Sequence, residues 1–577
     1  MPATLPLLAG YSFFRGYLLP GLDVVTIAIL GLALAHMALG KFRIRPGLAA
    51  PWMATFLAMG GISLLWPPTD FVRADAWKEA AGTCLLAWIL MASVASCSER
   101  AGKRLALLAI PVSLCYSCLI LLQNVAPGGW NPRCWPIFSA LCIYLNQWTQ
   151  KYQEISLLLL MWVGVTACAA RSDRRWLWTA VLLILGGIAL ATGYSKNSML
   201  AYWFSLGVFA FVIISRKYPA RILAAFAAGI ILSIPLLWFL VEQSSLLTSL
   251  WIRVVTMLDT GNLRTRWVIW DYVLRIVSSH LPLGLGFGGA SALPGNNMLL
   301  FDFYMPNEIV SQIAAASSWV YRGFHPHSVS LLFLADLGIP GLLLYAGFAC
   351  AVVRMLRNSN LPGNLLAGAT AFMFSILFYW NMTFSVWDFE CLMPICLGSA
   401  ILWRIIRREG VSPEDPWHRA SLVFLGVMLA AYAGMAGIHH IRENAFQNRF
   451  AQSPATLDMK GARLVLGERV LPISGEAGGF METVEAEGGN GWIARGWAGD
   501  VSTRRPARGL LIFAGSERVD FIRPALPRFD VRKKYQATPL LFTGFELRLP
   551  PGITNPASLH GVAIFDDETF LLLSEKP

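Results

Sequence analysis

Apolar runs of about 20 residues, the length needed to cross the hydrocarbon core of a bilayer, recur along most of this chain. In lipid every backbone N–H and C=O must be satisfied within the segment, so runs of this kind fold as helices. About twelve are legible by length and hydropathy, near 21–40, 49–66, 77–96, 104–124, 154–171, 174–193, 198–215, 220–241, 328–353, 363–380, 389–406 and 419–439. Charged residues make up only 14% of the 577, and the mean hydropathy is +0.55. A soluble chain carries about 25% charged residues, so a soluble globular fold is excluded. The expected fold class is an α-helical polytopic membrane protein.

The formal net charge of +12 points to orientation rather than to nucleic acid. Its cations fall in short clusters between the runs: Lys41, Arg43 and Arg45; Arg100, Lys103 and Arg104; Arg171, Arg174 and Arg175; Arg216, Lys217 and Arg221; Arg354 and Arg357; Arg404, Arg407, Arg408 and Arg419. These occupy alternate loops, which the positive-inside rule assigns to the cytoplasm. Both termini, the long 242–327 loop and the C-terminal tail are then expected on the periplasmic side of a cell inner membrane. No cleavable secretory segment is expected at the start, because the run after Arg15 continues to Gly40.

Two domains are expected, a transmembrane domain over 1–440 and an accessory domain over 451–577. In the tail the long apolar runs give way to short alternating ones, such as Gly509-Leu510-Leu511-Ile512-Phe513 and Val562-Ala563-Ile564-Phe565, separated by Gly, Pro and Asp. That pattern predicts a small β-sandwich. All ten cysteines precede the tail, so its stability must come from packing rather than disulfides. Cys115 and Cys118 are read as core packing within a span, and Trp251, Trp267, Trp319 and Tyr321 as an interfacial aromatic belt. No cluster with metal-ligand spacing is evident; Asp259, Asp271, Asp302 and Glu308 are the loop carboxylates a metal would have to use.

Chemistry concentrates in three patches. In the first, His327 opens an apolar run, Asp336 follows nine residues later, and Gly338 and Gly341 come after it. Ionisable groups at or in a membrane are costly and therefore functional by default. Nine residues is two and a half helical turns, so Asp336 cannot partner His327 along one helix and reads as a packing or network residue. The second patch is Arg266-Trp267-Val268-Ile269-Trp270, with Pro282-Leu283-Gly284-Leu285-Gly286-Phe287-Gly288 after it. Arg266 and Trp270 share a helical face, a pairing suited to a phosphate held against a sugar or isoprenoid. The glycines would let backbone N–H groups approach an oxyanion. The third is Ser195-Lys196, where one span meets the next.

Together these patches resemble the O-antigen ligase family over roughly residues 100–400, a superfamily that includes Wzy-type polymerases and O-oligosaccharyltransferases. The family has Ser-Arg where this chain has Ser195-Lys196, so the charge is kept and the bidentate fork lost. The resemblance implies a cofactor-free, metal-independent, inverting transfer of a glycan from an undecaprenyl-pyrophosphate donor to the hydroxyl of a lipid- or protein-linked acceptor. It implies His327 as the base, with Arg266, Lys196, Arg322, Trp270 and His325 as substrate-binding residues. A polymerase, an O-oligosaccharyltransferase and a transporter of lipid-linked glycan, which can also have about twelve spans, stay open as alternatives.

Overall fold

The computed structural model describes residues between 49 and 575, with 65–73, 126–146, 293–325, 383–388, 409–415, 486–491, 532–542 and several shorter loops outside the described set. Fourteen helices are described: α1 (Ala49–Ser63), α2 (Ala74–Ala95), α3 (Glu99–Val125), α4 (Gln147–Arg171), α5 (Arg175–Thr192), α6 (Lys196–Ser215), α7 (Ala220–Gln243), α8 (Ser245–Met257), α9 (Gly261–Ser278), α10 (Gly289–Ala292), α11 (Val329–Asn358), α12 (Gly363–Trp380), α13 (Phe389–Arg408) and α14 (Pro416–Gln452). Among the described residues, five helical segments are long and apolar enough to span a membrane: Lys196–Ser215, Arg221–Gln243, Val329–Leu356, Gly363–Trp380 and Ala420–Gln452. The other expected spans from 49 onward coincide with further helices of the bundle. The one near 21–40 lies outside the described residues.

The bundle is organised around α4. Residues 154–168 are all buried, as a helix apolar on every face must be when its neighbours surround it. It packs against α3, α5, α12 and α13, and α12 packs in turn on α6. Close approach in lipid needs small residues, because no hydrophobic force drives helices together there. A Cβ on Gly368 of α12 would overlap the Thr166 hydroxyl of α4, and one on Gly398 of α13 would lie 2.7 Å from the Phe372 ring. The spans Val329–Leu356 and Gly363–Trp380 are 78% and 72% buried, against 22% for Arg221–Gln243 and 17% for Ala420–Gln452. The site described below is therefore built on the inner helices.

Two expectations about side-chain direction are corrected. Cys115 and Cys118 face outwards, while Tyr116 and Ser117 between them are buried; the residues three apart share the helix face turned away from the bundle. Trp267 is no interfacial belt residue. It is fully buried, with its ring 4.9 Å from that of Trp251.

The tail forms two sheets. One runs β11 (Phe570–Leu572), β10 (Leu559–Ile564), β7 (Gly509–Ala514), β8 (Glu517–Ile522), β1 (Ala455–Asp458), β2 (Arg463–Leu466), β3 (Arg469–Pro472). The other runs β12 (Ser574–Glu575), β4 (Gly479–Glu485), β5 (Trp492–Asp500), β6 (Arg505–Pro506), with β9 (Gly544–Arg548) also on β5. In β7 (Gly509–Ala514) residues 509–513 are all buried, because both faces of the sheet are covered. Leu510 and Ile512 share a core with Met481, Ala494 and Ala498 of the five-stranded sheet. Leu511 and Phe513 point the other way, into a core closed by Phe446 and Phe450 of α14. The last turns of α14 thus belong to the tail's core. Glu443 ties the two together, accepting from Arg508 at 3.0 Å and from Gln447 at 2.9 Å, with Arg523 at 3.6 Å. The Arg508 guanidinium lies 3.9 Å from the centre of the Phe446 ring.

Removing a buried partner of an ion pair leaves uncompensated charge, discounted here because Arg508 is partly solvated. Glu443→Ala should therefore loosen the tail by about 1–2 kcal/mol, without changing membrane insertion. The check is limited proteolysis of purified protein, which should cut the variant faster after residue 452. Unchanged resistance would mean the aromatic contact alone holds the tail.

Candidate functional site

Helix α9 links the separate parts of the site, and its own position is fixed from behind. Asp271, fully buried, accepts from the Trp238 indole of α7 at 2.7 Å and from Arg275 Nε at 3.0 Å. Arg275 also donates to Glu242 at 2.6 Å. Burial pushes the Asp271 carboxyl up, and the Arg275 cation beside it pulls the other way. With these partners Asp271 is a structural anchor of α9. Among the described residues no group of three His, Cys, Asp or Glu is placed to hold a metal ion; Asp259, Asp302 and Glu308 lie outside them.

Arg266 and Trp270, one turn apart on α9, reach to two different segments. Arg266 Nη1 donates to Asn197 Oδ1 at 3.2 Å. Asn197 follows Lys196, the exposed first residue of α6. Burial lowers the guanidinium of Arg266 to about 10, and the nearby Tyr379 hydroxyl group partly offsets this. The group is thus still cationic at neutral pH. Arg266 therefore contacts the residue that follows Lys196 at the start of α6. The role of Asn197 is not legible in the sequence, because nothing local marks an amide as the partner of a residue 69 positions away.

The indole N–H of Trp270 donates to the carbonyl of Pro326 at 3.0 Å. Trp270 is 2% exposed, so its ring is packed in the core, and it steadies the chain beside His327 instead of offering a surface to a ligand. His327 is half-buried and has φ 53°, a left-handed conformation in which histidine is among the more tolerant non-glycine residues. Holding it costs of order 1–3 kcal/mol, and the flanking contacts supply the restraint. On one side is the Trp270–Pro326 bond. On the other, Ser328 caps α11, its carbonyl accepting from Leu332 N at 2.9 Å, and the Ser330 hydroxyl donates to Asn381 Oδ1 at the end of α12. The Asn381 amide in turn donates to Leu377 O at 3.0 Å. Arg322 and His325 lie outside the described residues.

The glycine turn serves a different purpose from the anion cradle its sequence suggests. Four amides in and beside it are committed: Gly284 N to His280 O at 2.9 Å, Leu285 N to Ala335 O at 2.7 Å, Phe287 N to Ser63 Oγ at 2.9 Å, and Gly289 N to Gly286 O at 2.9 Å. Gly284, Gly286 and Gly288 have φ of 81°, 89° and 78°, which only glycine adopts without strain. The turn docks on α11 where that helix breaks at Gly338 (φ 66°, ψ −154°). Ile339 N donates to Pro282 O at 2.9 Å, and a Cβ on Gly338 would overlap that same oxygen. Asp336 completes the joint by accepting from Ala290 N, the second residue of α10, at 2.9 Å. The network reading of Asp336 describes this contact, and the two halves of the motif are one buckle between the loop and the membrane helix.

The tail approaches this buckle. His280, two residues before Pro282, donates from Nδ1 to Ile276 O at 2.9 Å and has Arg523, the residue after β8 (Glu517–Ile522), and His439 of α14 as electrostatic neighbours. Burial holds the His280 imidazole below its usual range, against the bond to Ile276 and with smaller help from Arg523 and His439.

No curated protein matches the chain. Residues 180–346, from α5 through the buckle and into α11, match the family described as O-antigen ligase. That segment contains Lys196, Arg266, Trp270, the glycine turn, His327 and Asp336. Over this segment, which carries the candidate site, the chain is similar to the O-antigen ligase family.

Proposed function

We propose that this protein transfers a glycan from an undecaprenyl-pyrophosphate donor to an acceptor hydroxyl at the periplasmic face of the inner membrane, as an O-antigen ligase does. The observation that carries the reading is the span of α9. One helix joins a cationic corner, Arg266 with Asn197 and Lys196, to the turn that holds His327. Such a donor already has a good leaving group, so the protein must supply charge neutralisation and a base. Arg266 and Lys196 offset the charge gathering on the pyrophosphate, a role that fixed cations perform best in a poorly solvated site. His327 accepts the proton of the acceptor hydroxyl as its oxygen attacks the anomeric carbon. The bond from that carbon to the pyrophosphate breaks, undecaprenyl pyrophosphate leaves, and His327 returns its proton to water. A single displacement inverts the anomeric centre. The scheme uses no metal, so transfer should survive exhaustive chelation.

Arg266 gives a test with a direction. Arg266→Lys should raise the apparent KM for donor about tenfold or more, since an ammonium cannot rebuild a two-point contact to a phosphate. Arg266→Ala should be worse. In wild type, donor affinity should fall as pH rises through about 10, where the guanidinium loses its proton. Steady-state transfer in proteoliposomes measures both. Equal donor KM in all three forms would remove Arg266 from the donor site. The acceptor panel in the same assay separates the superfamily activities: a second lipid-linked glycan indicates polymerisation, and a protein hydroxyl indicates O-oligosaccharyl transfer.

A further inference from the structure

Buried in the same corner is a carboxylate to which the scheme above gives no part. Glu154, at 0% exposure, is the only charged residue in the fully buried 154–168 stretch of α4. A charge in such surroundings costs several kcal/mol unless it is paired and hydrogen-bonded, so its partners define its role. Both of its oxygens accept from the backbone N–H of Ser195, at 3.0 and 3.2 Å. The neighbouring glycine makes room for it: a Cβ on Gly193 would lie 2.6 Å from Glu154 Oε1. Ser195, itself buried, begins α6, its carbonyl accepting from Ser198 N at 3.0 Å and Met199 N at 3.4 Å. A carboxylate at this end of a helix is also favoured by the helix dipole. The next two residues are Lys196 and Asn197, the latter bonded to Arg266.

We propose that Glu154 is a positioning residue, which grips the Ser195 amide and so sets Lys196 and Asn197 against Arg266 at the donor end of the site. It touches neither the donor nor the acceptor. This rests on the reading of Lys196 and Arg266 as the pair that meets the donor pyrophosphate. Its energetic expression should be donor affinity, because the hydroxyl-activating His327 turn is held by other contacts.

The test uses full-length protein in proteoliposomes with Glu154→Ala, Glu154→Gln, Lys196→Ala and the Glu154→Ala/Lys196→Ala double variant. Glu154→Ala should raise the apparent donor KM about tenfold, the scale of one hydrogen bond to a charged group, with turnover at saturating donor little changed. Glu154→Gln keeps one carbonyl oxygen for the Ser195 N–H and should fall between it and wild type. If Glu154 acts through Lys196, the double variant should be no worse in KM than Lys196→Ala. An unchanged KM in Glu154→Ala, or a fully additive double variant, would overturn the proposal. A second arm does not depend on turnover. Cysteines at Asn197 and Arg266, bridged by a short bis-maleimide and identified by peptide mass spectrometry, should crosslink, and should cease to do so with Glu154→Ala. Retained crosslinking would overturn the positioning role. Absence of glycan transfer in wild type, with the crosslink behaving as expected, would instead sink the functional reading alone.

Discussion

His327→Ala should lower glycan transfer by about 10²–10⁴-fold, the contribution of a placed general base, while the protein inserts at its normal level. The structural reason is that the backbone on either side of His327 is held by other residues. The Trp270–Pro326 bond and the Ser330–Asn381 contact flank the residue without using its side chain. Replacing it leaves the left-handed φ of 53°, which alanine tolerates less well than histidine, so the amount of folded protein is measured beside the rate. His327→Gln restores a hydrogen-bonding group without a titratable one and should rescue almost none of the rate. Transfer near wild-type rates in the alanine variant, measured against equal membrane abundance, would remove the base from the mechanism.

The second large effect is expected at Gly338. Alanine there meets two obstacles at once. The φ of 66° with ψ −154° is a region held essentially by glycine alone, at a cost of order 1–3 kcal/mol for other residues. The new methyl would also overlap the Pro282 carbonyl, which accepts from Ile339. Relief requires pulling the 281–288 turn off α11, and that undoes the Leu285–Ala335 and Ala290–Asp336 bonds together. Gly338→Ala should therefore abolish transfer and reduce the amount of folded protein, with the transition temperature of detergent-purified protein lowered by several degrees. Gly207→Ala in α6, where a Cβ meets nothing within 4 Å, is the control and should be silent. A Gly338→Ala protein of normal stability and activity would show that the buckle is not needed to hold the loop.

How much of this is legible from sequence follows the range of each interaction. The helices are visible because burial in lipid demands length and hydropathy, properties written in consecutive residues; α4 and α12 need nothing else. Strand β7 is visible as an apolar run, but which of its faces meets α14 is not, since Phe446 and Phe450 lie more than 60 residues upstream. His327, Arg266 and Lys196 stand out as charges in the wrong solvent. Their connectors do not. Asn197, Asn381 and Glu154 act through hydrogen bonds to residues 69, 51 and 41 positions away, and no local pattern marks such a pairing. The glycine turn misleads for a related reason. Glycines at alternate positions record that the backbone needs positive φ or close approach, and they are silent on whether a ligand or another helix occupies the space. Here α11 does.

The most direct test of the account is reconstitution of the purified chain with undecaprenyl-pyrophosphate-linked glycan and a hydroxyl acceptor, with the product's anomeric configuration read by NMR. The account predicts one glycan transferred per undecaprenyl pyrophosphate released, inversion at the anomeric carbon, no dependence on divalent ions, and loss of all of this in His327→Ala. Retention of configuration, or donor turnover that persists without His327, would contradict it.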